Sequence, residues 1–368
     1  MGSLSSVSAP ELGAVAAKSA MESISLDPKS IDEVISGCVL PAGVGQAPAR
    51  QVSIFSGIPI GARALTINKV CGSGLKAVTL AADRIALGYA EMILAGGIEN
   101  MSQAPYYLKT LRAGAKMGNQ ELIDGLIHDG LWDVYNQFHM GKAAELCAKE
   151  YKFSREAQDA FAAESYRRAT KSIESGLFKN EIAPVSVKQK KDTVRIEIDE
   201  EPGRGKIDQF SQLRPAFDPQ GTITAANASS INDGASMLIL GSENSKLKPI
   251  ARILHSAEFA QKPEWFTTAP VACIKKLLTE ASLKVSDIAS FEINEAFAVV
   301  AMAAEKELEI PSAKLNPRGG AVALGHPIGA SGARLLTTLI HTLSSGQKGI
   351  ASLCIGGGEA IAVLIEKI

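Results

Sequence analysis

The sequence predicts an α/β protein made of two copies of one layered unit, with an extra segment inserted into the first copy. Three observations carry this expectation. Helix-type and strand-type patterns alternate along both halves, the halves match each other motif by motif, and glycine-framed turns mark several strand ends and helix starts. Such alternation implies helices layered on largely parallel sheets. The 368 residues suffice for two domains of ordinary size and a large core.

In the first half, Ala9-Pro10 opens a helix pattern, and the turn Asp27-Pro28-Lys29-Ser30 leads into a strand approach at Ile31. Ala64-Leu65-Thr66-Ile67 reads as a short apolar strand with β-branched residues, and Leu75 to Ala82 as a helix with few breakers. Met92 to Ala95 reads as a buried strand ending at Gly96-Gly97, with Glu99 beyond. The second half repeats the order. Ala269-Pro270 opens a helix, Lys284-Val285-Ser286-Asp287 leads to Ile288, and Ala330-Ser331-Gly332 matches Gly72-Ser73-Gly74. Ile350 to Cys354 ends at Gly356-Gly357 with Glu359, matched to Gly96-Gly97 with Glu99, and Ser236 to Leu240 matches Ala362 to Ile365. Pro249 to Leu254 reads as the strand that opens the second half. Its counterpart falls ahead of Met1, so the first half is expected to lack its opening strand.

The insertion carries a strong helix pattern, Glu156 to Glu174, and a charged extended stretch, Val185 to Ile198. The expected division is residues 1–100 with 226–248 as the first half, 101–225 as a lid or loop subdomain, and 249–368 as the second half. Lys188-Gln189-Lys190-Lys191 reads as a solvated face, with contact to an anionic ligand as the alternative.

Composition narrows the function. A net charge of −1 gives no electrostatic case for nucleic acid or membrane. Five cysteines without close pairing argue against a disulfide framework and suit a reducing compartment. No spacing suggests a metal site, and no apolar run reaches the length of a membrane span. The N-terminus does not read as a signal peptide, nor Ile365-Glu366-Lys367-Ile368 as a peroxisomal ending. A cytoplasmic protein is the expectation. A mitochondrial one stays open, because the expected missing N-terminal region is where a transit peptide would lie.

The chemistry concentrates in three places. Cys71, within Asn68-Lys69-Val70-Cys71-Gly72-Ser73-Gly74, stands where a strand pattern passes into a helix pattern. A thiol there lies at the positive end of the helix dipole, so its pKa is expected below the free value of about 8.5. A small buried hydrophobe is the alternative. His326 lies in a glycine-framed turn within Gly319 to Gly332, and Cys354 opens Cys354-Ile355-Gly356-Gly357-Gly358 at a strand end. Ligands of open α/β sheets bind outside strand carboxyl ends. Two thiols and an imidazole gathered there would serve as nucleophile, base and second acid/base. Taken singly, His326 bonding a loop carbonyl and Cys354 as packing remain open.

These blocks, with Asn294-Glu295-Ala296-Phe297-Ala298 and Asn227 to Ala235, resemble the signature blocks of the thiolases along essentially the whole chain. Phe138-His139-Met140-Gly141 resembles the short-chain biosynthetic branch, the acetyl-CoA C-acetyltransferases. The resemblance implies a thiolase-like pair of α/β halves and the joining of two acetyl-CoA molecules into acetoacetyl-CoA and CoA. Coenzyme A thioesters enter as substrates, with no further cofactor and no metal. It implies Cys71 as the nucleophile acetylated as a thioester, His326 as acceptor of the thiol proton and later a donor to a thioester oxygen, and Cys354 as the base for the α-proton. One oxyanion hole would use His326 and a water held by Asn294; the other, the N–H groups of Cys71 and Gly356. Asn294 as a plain helix N-cap is the competing reading.

It also assigns Leu131, His139, Met140, Ser229, Ala296 and Phe297 to the pantetheine path and acyl pocket, Met140 narrowing it to acyl groups of two to four carbons. Ordinary packing, or for Ser229 a turn hydrogen bond, is the alternative at these positions. The implied assembly is a dimer, paired into a tetramer through a loop after Gly97 to Ser102. Two departures from the family stand out: the opening strand, which the family is expected to place in the middle of the first-half sheet, and Arg318 near His326, where Asn or His is more usual. Cleavage of longer 3-ketoacyl-CoA, and an inactive truncated chain acting only as a binding or oligomer partner, are the rival readings.

Overall fold

The computed structural model describes residues 2–189 and 192–368; Lys190 and Lys191 of the basic run lie outside the described residues. In the first half, helix α1 (Ala9–Ser23) begins at a capping box in which the Glu11 carboxylate accepts the Ser8 N–H at 3.0 Å. There follow β1 (Glu33–Gly37), α2 (Pro48–Phe55), β2 (Arg63–Ile67), α3 (Ser73–Ala86) and β3 (Met92–Asn100). Residues beyond β3 form three two-stranded ribbons and two longer helices, α4 (Met140–Tyr151) and α5 (Arg155–Glu174). The charged stretch forms one ribbon, Val185–Lys188 with Thr193–Ile196. The chain then returns as β4 (Asp233–Gly241) to pair with β3. The second half holds β5 (Ala251–Ala260), α6 (Ala269–Glu280), β6 (Ser290–Ile293), α7 (Ala298–Leu308), α8 (Ser331–Thr342), β7 (Lys348–Ile355) and β8 (Glu359–Lys367).

Each half has a four-stranded sheet, in the order β4-β3-β1-β2 and β5-β8-β7-β6. The expectation of largely parallel sheets is corrected: β1 pairs in parallel with β2 and β3, and β6 with β7, but β4–β3, β5–β8 and β7–β8 are antiparallel. Apolar residues of α3 (Leu75, Val78), α8 (Leu335, Leu339), the first sheet (Ile35, Ile93) and the second (Leu353, Ile361) share one core. The two helices therefore form the middle layer between the sheets. Helices α1 and α2 cover the outer face of the first sheet, and α6 and α7 that of the second. The middle crossing is tight in both directions. A Cβ on Gly74 would lie 3.0 Å from the Ala333 nitrogen, and one on Gly332 would lie 2.5 Å from that of Leu75.

Three further expectations change. The repeat makes β5 the counterpart of the expected missing strand, and β5 lies at a sheet edge, paired only with β8. The corresponding place is therefore the outer edge of β4, not the middle of the sheet. Strand β2 is also an edge, with Leu65 42% exposed, so its apolar run does not mean burial. Finally, Gly96 and Gly97 sit inside β3 opposite Ser36 and Gly37, whereas Gly356 to Gly358 form the turn after β7. With Ile31 matched to Ile288, the pair Ser36–Gly96 corresponds to Ile293–Ser352. Glu99 thus corresponds to Ile355, not to Glu359.

Candidate active site

Cys71 occupies the predicted junction between β2 and α3 and is 4% exposed. The segment before it is held in an uncommon conformation. Val70, a β-branched residue, has φ +45°, a strained state that costs roughly 1–3 kcal/mol and needs external support. Asn68 Oδ1 accepts the Val70 N–H at 2.9 Å, while Ser73 Oγ accepts the Lys69 N–H at 2.8 Å and donates to the Val70 carbonyl at 2.7 Å. Lys69 extends the support to the second half, pairing with Glu258 at 3.0 Å and with Glu359. Burial works against its charge, yet those carboxylates hold its pKa above the usual lysine value.

The expected low pKa of Cys71 is not met. Burial pushes the thiol up to about 11, outweighing the hydrogen bonds it accepts from the Gly356 N–H and its own. Helix position sets only a modest field; loss of water dominates in a closed site. Cys354, in β7, is fully buried, and burial, with repulsion from Cys71 when that thiol ionises, lifts its own thiol well above the usual range. Both resting sulfurs are therefore protonated thiols at neutral pH.

Asn294 directly follows β6, its N–H donating to the Ser352 carbonyl at 3.0 Å. Helix α7 begins at Ala298 with Phe297 at the cap, so Asn294 is not the helix N-cap. Its Nδ2 lies 3.3 Å from His326 Nε2, and its Oδ1 has no protein partner among the described residues. Glu295 braces the approach to His326: it accepts from Ser165 Oγ at 2.7 Å, Asn316 Nδ2 at 2.8 Å and the Val322 N–H at 3.2 Å. The His326 N–H donates to Asn232 Oδ1 at 3.0 Å, tying the 227–235 block to this turn. His326 Nδ1 lies 2.5 Å from Ser331 Oγ, which donates to the Pro327 carbonyl at 3.0 Å. With that hydroxyl proton committed, Nδ1 is the donor and Nε2 the unprotonated acceptor. Burial, then the Arg334 charge, lowers the imidazole to about 3, keeping it neutral.

The expected acyl-pocket residues divide. Met140 packs at the Cys354 strand end: a Cβ on Gly356 would lie 3.3 Å from Met140 Cε. Met140, Ala296, Phe297 and Cys354 share one core cluster, whereas Leu131 packs against the cluster that holds Cys71. His139 accepts the Gly141 N–H at 3.0 Å and stacks on Phe217 with ring centroids 4.7 Å apart. Ser229 Oγ donates to the Ala296 carbonyl at 2.9 Å, a bond between segments and not a local turn. Arg318 does not face His326. It is buried between Glu181, at 3.0 Å, and the Leu177 carbonyl, at 2.8 Å. Sequence reading gave no site role to Phe217, Asn232, Ser331 and Glu99, although Asn232, Ser331 and Glu99 stood within motifs already quoted.

Among the described residues no cluster of His, Cys, Asp and Glu could hold a metal ion, and no helix is long and apolar enough to cross a membrane. Residues 1–244 match the family model for the thiolase N-terminal domain and residues 247–367 that for the thiolase C-terminal domain. The chain is 49% identical to the mitochondrial acetyl-CoA acetyltransferase erg10A of Aspergillus fumigatus, over all of this chain and 87% of that protein. It is 48% identical to an acetyl-CoA acetyltransferase of Cupriavidus necator, over all of this chain and 95% of that one. A crystal structure of the Acat5 thiolase from Ascaris suum in complex with coenzyme A superimposes with a TM-score of 0.96 at 46% identity, covering all of this chain and 96% of the other. Two family models over nearly the whole length, on a duplicated α/β core, establish that the chain belongs to the thiolase family.

Proposed function

We propose that the protein is an acetyl-CoA C-acetyltransferase that joins two acetyl-CoA molecules into acetoacetyl-CoA and CoA, reversibly, through an acetyl-Cys71 intermediate. The full-length relatives named acetyl-CoA acetyltransferase support this activity. For the residue roles, the observation that carries most is Asn294 Nδ2 lying 3.3 Å from His326 Nε2, with Asn294 Oδ1 left without a protein partner among the described residues.

Both sulfurs rest as thiols beside a neutral imidazole, so the proton must move during the reaction. Nε2 of His326 takes the Cys71 proton as Sγ attacks the thioester carbon of the first acetyl-CoA. The N–H groups of Cys71 and Gly356 receive the developing oxyanion. Cys354 gives its proton to the departing CoA thiolate and becomes a strong base, because burial disfavours its charge. It then removes the α-proton of the second acetyl-CoA. The enolate oxygen is met by the protonated His326 and a water on Asn294, and the new carbon–carbon bond releases Cys71, which regains its proton from His326.

Leu131, His139 and Met140, from a coenzyme A-binding subdomain of residues 101–225, line the path of pantetheine and acyl group together with Ser229 of the first half and Ala296 and Phe297 of the second. Met140 against Gly356 favours acyl groups of two to four carbons. The chain pairs through the exposed β2 edge, where Leu65, Ile60 and Phe55 lie open. A tetramer forms through the loop bearing the exposed Leu111, Met117 and Leu122. Acetyl-CoA should label the Cys71 peptide by mass spectrometry, and acetoacetyl-CoA should be the best thiolysis substrate. Labelling at another residue would sink the mechanism, and fastest turnover with chains longer than butanoyl would sink the short-chain assignment.

A further inference from the structure

Glu99 is buried at the end of β3, and no step above uses it. Its Oε2 accepts the N–H groups of Val39 at 3.0 Å and Gly329 at 2.9 Å; its Oε1 accepts that of Leu40 at 3.1 Å. Val39 and Leu40 belong to the first half, whereas Gly329 belongs to the second-half turn that carries His326. The docking there is backbone on backbone. A Cβ on Gly97 would lie 1.9 Å from the Gly329 carbonyl oxygen, and one on Gly329 would lie 2.5 Å from that of Ile98.

The duplicated fold gives this contact a meaning. Helices α3 and α8 start at the matched Ser73 and Ser331, so Gly329 is the counterpart of Cys71, as Glu99 is of Ile355. In one copy the N–H of Gly329 is taken by an internal carboxylate. In the other, the aliphatic Ile355 packs over Gly72, its Cδ1 2.5 Å from where a Cβ there would stand, and no carboxylate reaches the N–H of Cys71 from that place.

We propose that Glu99 is a positioning residue: its carboxylate fills the counterpart of the Cys71 anion pocket and so sets how His326 enters the site. What His326 does once there rests on the acetyltransferase reading. Three buried N–H groups need the acceptor, and a protonated carboxyl serves them less well. Burial pushes Glu99 up to about 7, so its charge is lost just below neutrality. The titratable groups facing it are the Cys38 thiol, 3.8 Å from Oε1, and the Cys71 thiol.

The test is Glu99→Gln in the full chain, measured by acetoacetyl-CoA thiolysis across neutral pH, with Glu99→Asp and Cys71→Ala alongside. Glu99→Gln should lose about 10- to 100-fold in kcat with little change in KM, as expected for a slight misplacement of a catalytic group. The unaltered enzyme should lose activity as pH falls below about 7, and Glu99→Gln should lack that fall. Should Glu99→Gln fail to fold, Glu99→Asp decides: it retains the acid limb with reduced kcat. Unaltered kcat, or an unaltered acid limb in Glu99→Gln, overturns the proposal. Cys71→Ala separates the two readings. Turnover surviving in it refutes the acetyltransferase mechanism, whereas its loss beside a fully active Glu99→Gln refutes only the role of Glu99.

Discussion

The turns ahead of α3 and α8 occupy matched places in the two halves but differ in backbone shape and in the use of their backbone donors. At Gly329 the N–H is occupied by Glu99, and the turn serves as a fixed mount for His326. At Cys71 the matched place holds the aliphatic Ile355 and no carboxylate, the residue itself carries a buried thiol, and the turn ahead of it is strained at Val70. The contrast teaches that a duplicated scaffold acquires chemistry where the duplication is broken. One copy closes its pocket with its own charge, and the other leaves it to a ligand.

The sharpest way to break the comparison is at Cys71. Cys71→Ala makes the first turn resemble the second in having no nucleophile, and loss of a covalent nucleophile costs about 10⁴-fold or more in kcat. Acyl-enzyme trapping with acetyl-CoA should detect no adduct. Next comes His326→Ala, expected to cost about 10²- to 10⁴-fold as the loss of a general base. His326 also leaves a signature in stability. Its folded pKa is lowered, so as pH falls from 6.5 toward about 3 the unfolded chain takes up a proton that the folded one refuses. Stability contributed by this group is complete above pH 6.5 and declines through that window. A His326→Gln variant should therefore show a flatter melting temperature against pH there, and an unchanged slope would refute the buried neutral imidazole.

A smaller effect separates the mounts themselves. Gly97→Ala forces a methyl group onto the Gly329 carbonyl oxygen, where neither partner is a flexible side chain. Overpacking of this kind costs about 1–3 kcal/mol. Gly356→Ala meets Met140 Cε at 3.3 Å, a side-chain end that can shift. Thermal unfolding of the two variants should show the larger drop for Gly97→Ala. Equal drops would mean that the Gly329 docking yields as easily as Met140.

These contrasts also mark what the sequence could and could not convey. The β2-to-α3 junction was legible because strand and helix periods meet across a few small residues, and Cys71 stands where that pattern places it. The match of Gly96-Gly97 to Gly356-Gly357 was not reliable. Glycine serves close strand packing in the first pair and a turn with φ +92° at Gly357 in the second, and the letters alone do not separate these uses. The pKa of Cys71 had the wrong sign because the helix start is local and readable, whereas burial comes from residues distant in sequence. The edge position of β5 likewise depends on sheet order, which strand patterns do not encode. Glu99 was matched by spacing to Glu359, and only the strand registers set it opposite Ile355.

The last test concerns the tie between the strained turn and the second half. Lys69 is 22% exposed and bridges Glu258 and Glu359, whose side chains are 38% and 39% exposed. Solvent screens carboxylates so placed, and such pairs contribute on the order of 0–1 kcal/mol. Lys69→Met should therefore leave the fold intact and reduce kcat only a few-fold, by loosening the segment that holds Val70 at φ +45°. Because the tie is ionic, raised salt should erode the activity of the unaltered enzyme toward that of Lys69→Met, with little effect on the variant. The Glu99 contact, buried and directed at backbone, should resist the same salt. A salt response of equal size in Lys69→Met would place its cause outside this ion cluster, and the aim of Cys71 would then rest on Asn68 and Ser73 alone.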